Sequence, residues 1–463
     1  MTHFKFLPTF IMLSRSPYKP KASHIYQKTK TVTSGLTALT LAIGSAHAAG
    51  LEYTKQSVAP FFQPGNYAEV AYGHVELNIE GVDNQGNKID NMMDDFALPS
   101  AAVKVAPTPN TALALLYDTP FGVDTVYPDG NIFHNQMGTT EARVSTDSFT
   151  LLGGGKLTQG ETNNVWLYGG LEYQTLQGNV TGAQPVGLTS ALSEGGYTQE
   201  QYDDWARNPN SFGGKLIKPA IDKVAAAPTY YTLDFEKEHT LLPVVGMAFE
   251  KPEIALRAAL TYRAPAKYQV SGKENLQVIL PVLPVPGGGD GVTPTPAAEG
   301  LPLSGSTEVK MPQSVNLDFQ TGLSEKYQLL GMVNARWVDW SNFNVTPPVA
   351  LEATKEPLAA YNKDGYSVEV ALGKQFNPKF SGEVRVGYDH GTGEPLSLLG
   401  PYGAIKSLGL GGEYKVTDNL SVAAGGQYMW FDGGEVITKV DGKVADIDDG
   451  TGFAVGMKVG YHF

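Results

Sequence analysis

Phe453-Ala454-Val455-Gly456-Met457-Lys458-Val459-Gly460-Tyr461-His462-Phe463 is the stretch that decides the fold. Phe453, Val455, Met457, Val459, Tyr461 and Phe463 are apolar and share one parity. Ala454, Gly456, Lys458, Gly460 and His462 share the other. Successive side chains of a strand point to opposite faces, so one face here is greasy and the other small or charged. A soluble edge strand is seldom left so apolar. A barrel strand with lipid outside and water inside carries this pattern.

The pattern recurs upstream. Ile254, Leu256, Ala258, Leu260 and Tyr262 alternate with Ala255, Arg257, Ala259, Thr261 and Arg263. Val384, Val386 and Tyr388 alternate with Glu383, Arg385, Gly387 and Asp389, and Tyr366 to Leu372 behave alike. A charge facing lipid costs about 2–4 kcal/mol at mid-bilayer, so the charged members are expected inside. Fourteen such segments are expected: 67–80, 98–106, 111–125, 140–157, 164–180, 230–249, 254–272, 304–322, 327–345, 365–376, 380–389, 406–416, 420–431 and 451–463. Connections alternate between short ones rich in Pro, Asn, Asp and Gly and long ones, the longest being 181–229 and 273–303. Tight periplasmic turns and long extracellular loops give that order, whereas a soluble β-sandwich does not. The expected fold is therefore all-β, a transmembrane antiparallel β-barrel of about 14 strands over 67–463, with 49–66 left as a short N-terminal hatch. Within the long loops, Thr198 is the expected N-cap of one short helix, and Leu216–Ala226 a second one interrupted by Pro219.

Composition agrees. The 463 residues include no cysteine, which removes disulfides and thiolate chemistry. Beyond residue 50 no apolar run approaches the ~20 residues of a membrane helix, so any crossing is made by a closed barrel. Residues 1–48 read as an export signal: Lys28 and Lys30 flank a short apolar stretch, and Ala46-His47-Ala48 fits a small-x-small cleavage site. The formal charge is −13, and the leader holds six Lys/Arg and no acid, so the mature chain carries −13 − 6 = −19. That excludes a nucleic-acid partner, which needs a basic footprint.

With these elements in place, several motifs resemble the outer-membrane long-chain fatty acid transporter family (FadL-type, with the related toluene and hydrocarbon porins). Leu260-Thr261-Tyr262-Arg263-Ala264 is similar to its seventh strand. Met311-Pro312-Gln313-Ser314-Val315 and Arg336-Trp337-Val338-Asp339-Trp340-Ser341-Asn342-Phe343 are similar to its eighth and ninth. Asp118-Thr119-Pro120-Phe121-Gly122-Val123-Asp124-Thr125 is similar to its third. The resemblance implies a monomer in the outer membrane, plugged by its N-terminus. It also implies capture of hydrophobic molecules on apolar loops, lumenal binding, and sideways release into the membrane at a kinked third strand. Residues 49–66 are shorter than the family's hatch and lack its Asn-Pro-Ala signature.

Particular residues follow. Pro120 removes a ladder donor and Gly122 permits a bend, so a lateral-gate kink is expected there rather than a strand end. Arg257, Arg336 and Arg385 face the lumen, where a carboxylate ligand would want a cation; the plainer alternative is a structural network with Glu172, Glu369 and Glu383. Phe463 is expected to be read by the barrel assembly machinery. The apolar residues Val278 to Val285 suggest a landing site for greasy ligands. No cofactor or metal is implied: His74, His134, His239, His390 and His462 lack ligand spacing, and Asp446, Asp448 and Asp449 read as solvated. No nucleophile elbow is present. The expected function is passive uptake of hydrophobic compounds, long-chain fatty acids first, with aromatic hydrocarbons or alkanes as the alternative. An outer-membrane hydrolase using Asp389-His390 and a general polar porin are the rivals from other classes.

Overall fold

The computed structural model describes residues 50–159, 163–279, 303–354, 357–438 and 442–463. The leader with Ala46 and Ala48, and residues 280–302 of the apolar loop, lie outside them. Fourteen strands form the wall: β1 Tyr67–Asn78, β2 Phe96–Thr108, β3 Thr111–Asp118 continued by Gly122–Val126, β4 Glu141–Gln159, β5 Asn164–Pro185, β6 Pro228–Lys251, and β7 Leu256–Arg263 continued by Ala266–Val278. Then come β8 Leu303–Met311 continued by Ser314–Ser324, β9 Leu329–Val338 continued by Asn344–Val345, β10 Gly365–Asn377, β11 Phe380–Asp389, β12 Ile405–Lys415, β13 Leu420–Phe431 and β14 Gly450–His462. Every neighbouring pair is antiparallel, and β14 pairs with both β13 and β1, which closes the sheet.

The terminal strand behaves as its alternation dictates. Phe453, Val455, Met457, Val459, Tyr461 and Phe463 are exposed, while Ala454 and Lys458 are buried inside. No described helix is long and apolar enough to cross a membrane, so the exposed apolar belt on the strands is the crossing element.

Strands five to eight depart from the expected bounds. β7 runs on to Val278 and β8 starts at Leu303, so less of 273–303 is loop than expected. The loop after β5 is helical: α1 Leu188–Gly195, α2 Gln199–Arg207 and α3 Lys218–Ala225. Thr198 caps α2 in a full capping box with Gln201. Helical backbone already runs through the π-turn Gly213–Ile217, and the course changes to α-helix just before Pro219, as the expected interruption requires. A fourth helix, α4 Pro348–Thr354, follows β9.

Nor are β7 and β8 unbroken alternations. Ala264-Pro265 and Pro312-Gln313 fall between the paired residues Arg263↔Ser314 and Ala266↔Met311. A proline cannot donate to the ladder, so the break lies where both strands carry one. Each break also inverts the facing. Below it Arg257, Ala259, Thr261 and Arg263 point inward; above it Ala266, Tyr268, Val270 and Glu274 do. The β6–β7 ladder stops at Val244↔Arg263 and resumes in the same register at Phe235↔Gly272.

Candidate functional site

Residues 50–66 enter the lumen. Leu51, Glu52, Tyr53, Thr54, Gln56, Val58, Ala59 and Phe61 are buried there. A short 3-10 turn, Ala59–Phe62, packs its rings on Trp166 and Tyr168 of β5. The upstream part is held by polar ties: Glu52 to Arg336, Lys55 to Glu369 at 3.1 Å, Gln56 Nε2 to Glu172 at 2.9 Å, and Thr54 Oγ1 to Asp118 at 3.1 Å. Burial pushes the Glu52 carboxyl up, and Arg336 beside it pulls the other way.

This segment meets the wall where β3 breaks. Tyr53 and Thr54 donate their amides to Pro120 O at 2.8 and 3.2 Å, and Gly122 N donates to Leu51 O at 2.8 Å. The β2–β3 ladder ends at Ala101↔Tyr117. Beyond it Gly122–Val126 pairs with β4 on one edge, and on the other Asp124–Val126 is bonded to Met92–Asp94, just ahead of β2. The strand is thus interrupted at Thr119–Phe121, and around Pro120–Gly122 the hatch supplies the backbone partners that β2 does not. Gly122 is required by contact: a Cβ there would run into the Tyr53 ring, which stacks on Phe96 at 4.1 Å and donates to Asp124. A notch lies here, between the hatch and β1–β3. Its lining includes Thr54, Leu98, Pro99, Ser100, Tyr117 and Asp118.

A second cavity lies toward the long-loop end. Leu51 forms part of its boundary. Leu176, Leu233, Val270, Val309 and Phe343 are among its walls, and Pro348 and Leu399 close it. No lysine or arginine lines it. Its one charge, Glu274, is buried and accepts from Tyr231 Oη at 2.9 Å and from the amides of Val349 and Ala350 at 2.9 and 2.7 Å, at the start of α4. The inversion in β7 and β8 is what turns Val270, Val309 and Met311 into this chamber.

The three arginines singled out from the sequence are all lumenal and buried, and none lines the apolar cavity. Arg336 is taken by Glu52, Asn316 and Gln56. Arg385 bridges Glu369 at 3.5 Å and Glu383 at 2.7 Å. Arg257 lies toward the short-turn end, donates to Gln320 at 3.0 Å and covers the Phe62 ring at 4.9 Å. Arg263, which pairs with Glu172 at 3.0 Å, joins this network and was visible only as an inward position. Asp389 and His390 point apart: Asp389 is buried and accepts from Gly391 N, and exposed His390 lies 3.4 Å from Tyr388 Oη. Phe463 is exposed, stacks on Tyr461 and donates its amide to Asn66 O.

Residues 244–463 match the family model described as outer membrane protein transport protein (OMPP1/FadL/TodX). The whole barrel is similar to a Pseudomonas aeruginosa FadL homologue, with 15% identity, a TM-score of 0.64, and 93% of this chain and 98% of that chain covered. It is also similar to the Pseudomonas putida toluene transporter TodX, at 12% identity and a TM-score of 0.59 over 93% and 99% of the two chains. The Ralstonia pickettii toluene transporter TbuX gives 12% identity and a TM-score of 0.54 over 93% and 99%. At these identities the structural likenesses speak for the fold. The search of curated proteins by sequence gave no match.

Proposed function

We propose that this chain, whose residues 244–463 match the OMPP1/FadL/TodX model of outer membrane transport proteins, is a passive channel for uncharged hydrophobic compounds, aromatic hydrocarbons or alkanes. The observation that carries the substrate class is the lining of the second cavity, which offers apolar walls and no cation. A carboxylate placed there would meet the like charge of Glu274 and leave its own hydration unreplaced, which is costly. A ring or alkyl chain needs only the walls, at about 25 cal/mol per Å² of apolar surface removed from water. The toluene transporters TodX and TbuX share this fold.

Long-chain fatty acid uptake is the second reading. Arg257 favours it, because among the described residues this buried guanidinium has no carboxylate within 4 Å.

The route begins at the helical loop, where Phe212 and Leu216 are exposed, passes the cavity, and leaves sideways through the notch beside Pro120. Sideways exit spares the substrate the periplasm, where each exposed methylene costs about 0.8 kcal/mol. Transport needs no energy-coupling element, because partition into lipid is downhill. Equilibrium binding of toluene, n-octane and a long-chain fatty acid to the purified barrel tests the reading. Saturable hydrocarbon binding, unaffected by Arg257→Ala, supports it. Tight fatty-acid binding abolished by Arg257→Ala would replace it with the second reading.

A further inference from the structure

On the outer face of the wall, Lys267 of β7 stands directly opposite Lys310 of β8. Both point away from the lumen, since Ala266, Tyr268, Val309 and Met311 occupy the inward positions on either side. Side chains so placed are about 5 Å apart at Cβ, and like charges there repel. Neither lysine has a carboxylate within 4 Å among the described residues. The nearest acid along the strand, Glu308, accepts from Gln269 at 3.2 Å. Other outward lysines on this flank do have counter-charges: Lys237 reaches Asp147 at 3.4 Å, and Lys273 is paired across the ladder with Asp234. The Lys267–Lys310 pair is thus a double positive charge with one acid, Glu308, beside it on the same face, which leaves a net positive spot on an acidic protein.

Its height matters as much as its charge. Tyr262, five residues below Lys267 on β7, belongs to the aromatic set expected at the membrane interface. Five residues at ~3.3 Å each, tilted by ~40°, raise the pair roughly 12 Å above that ring, toward the long-loop end. That end faces outward in barrels of this kind. The pair therefore stands outside the apolar belt, on the outer-leaflet side of the exposed apolar side chain Leu241 of β6.

We propose that Lys267 and Lys310 together bind a phosphate group of an outer-leaflet lipid headgroup. A phosphate oxygen set between two ammonium groups converts their repulsion into two charge-assisted hydrogen bonds. The site would fix one lipid against the β7–β8 flank, beside the wall of the apolar cavity.

The test uses the full barrel purified in detergent and native mass spectrometry with a bis-phosphorylated lipid A and its dephosphorylated form. The phosphorylated lipid should bind at least tenfold more tightly than the dephosphorylated one. Lys267→Gln/Lys310→Gln should remove that difference, while Lys273→Gln should keep it. Heat-modifiable gel migration confirms that each variant is folded. Equal binding of the two lipids, an undiminished preference in the double variant, or an equal loss in Lys273→Gln would overturn the proposal. So would full competition by millimolar inorganic phosphate, which would mark a site for the free ion rather than for a lipid.

Discussion

Replacing Arg336 by methionine should loosen the hatch without unfolding the barrel. In the native chain the guanidinium is buried and donates to Glu52, Asn316 and Gln56. Its removal leaves the Glu52 carboxylate in the lumen with no partner of opposite charge in contact. Breaking one side of a buried pair costs about 3–5 kcal/mol. At about 1.36 kcal/mol per power of ten, the docked form of residues 50–56 should lose two to nearly four powers of ten in its equilibrium constant. The wall is untouched, because Arg336 contributes to the β8–β9 ladder through its backbone. Hydrogen exchange at Tyr53 and Thr54 reads the effect directly, since both amides are bonded to Pro120 O in the docked state. Both should exchange faster by about that factor, and planar-bilayer conductance should rise. Glu52→Met/Arg336→Met should recover most of the loss, because apolar replacement of a whole buried pair is often neutral. Unchanged exchange in Arg336→Met, or a double variant as open as the single, would refute the reasoning.

Three further outcomes are expected. Pro120→Val/Gly122→Val should collide with the Tyr53 ring and straighten β3; release of a bound hydrophobic probe into vesicles should slow at least tenfold, and unaltered release removes the sideways exit. Glu274→Leu should free the start of α4, which loses two amide bonds to a charged acceptor, at about 1.5–3 kcal/mol each; faster proteolysis within 346–358 is the readout. Deleting Phe463 should lower the folded fraction in the outer membrane while leaving export intact, as judged by heat-modifiable migration.

The wall was legible in the sequence because its two faces differ chemically. Met457 beside Lys458, or Val386 beside Arg385, leaves one workable orientation. The break in β3 was legible because Pro120 and Gly122 carry local backbone constraints. The apolar cavity was not, because Val270 and Val309 look like lipid-facing residues until the breaks at Pro265 and Pro312 are taken into account. The hatch ties were hidden for another reason. Glu52 meets Arg336, and Lys55 meets Glu369, across some three hundred residues, and nothing local announces such pairs. The same distance explains why the three arginines could be placed in the lumen but not assigned partners.

The breaks in β7 and β8 also make cargo chemistry a matter of reading phase. Above Pro265 the outward series on β7 is Lys267, Gln269, Ser271 and Lys273, and across from it on β8 stand Lys310 and Glu308. A strand has a period of two, so a one-residue shift exchanges its faces. Deleting a single residue at Ala264-Pro265, with another at Pro312-Gln313, would carry those ionic side chains into the chamber and put Val270 and Val309 on the outside. Neither the strand count nor the composition would change noticeably. The chamber would gain charge along β7 and β8, while Leu176, Leu233, Phe343 and Leu399 kept its other walls apolar. Two in-frame codons therefore suffice to change the chemistry of the β7–β8 wall of the chamber, a shorter mutational distance than remodelling that wall side chain by side chain.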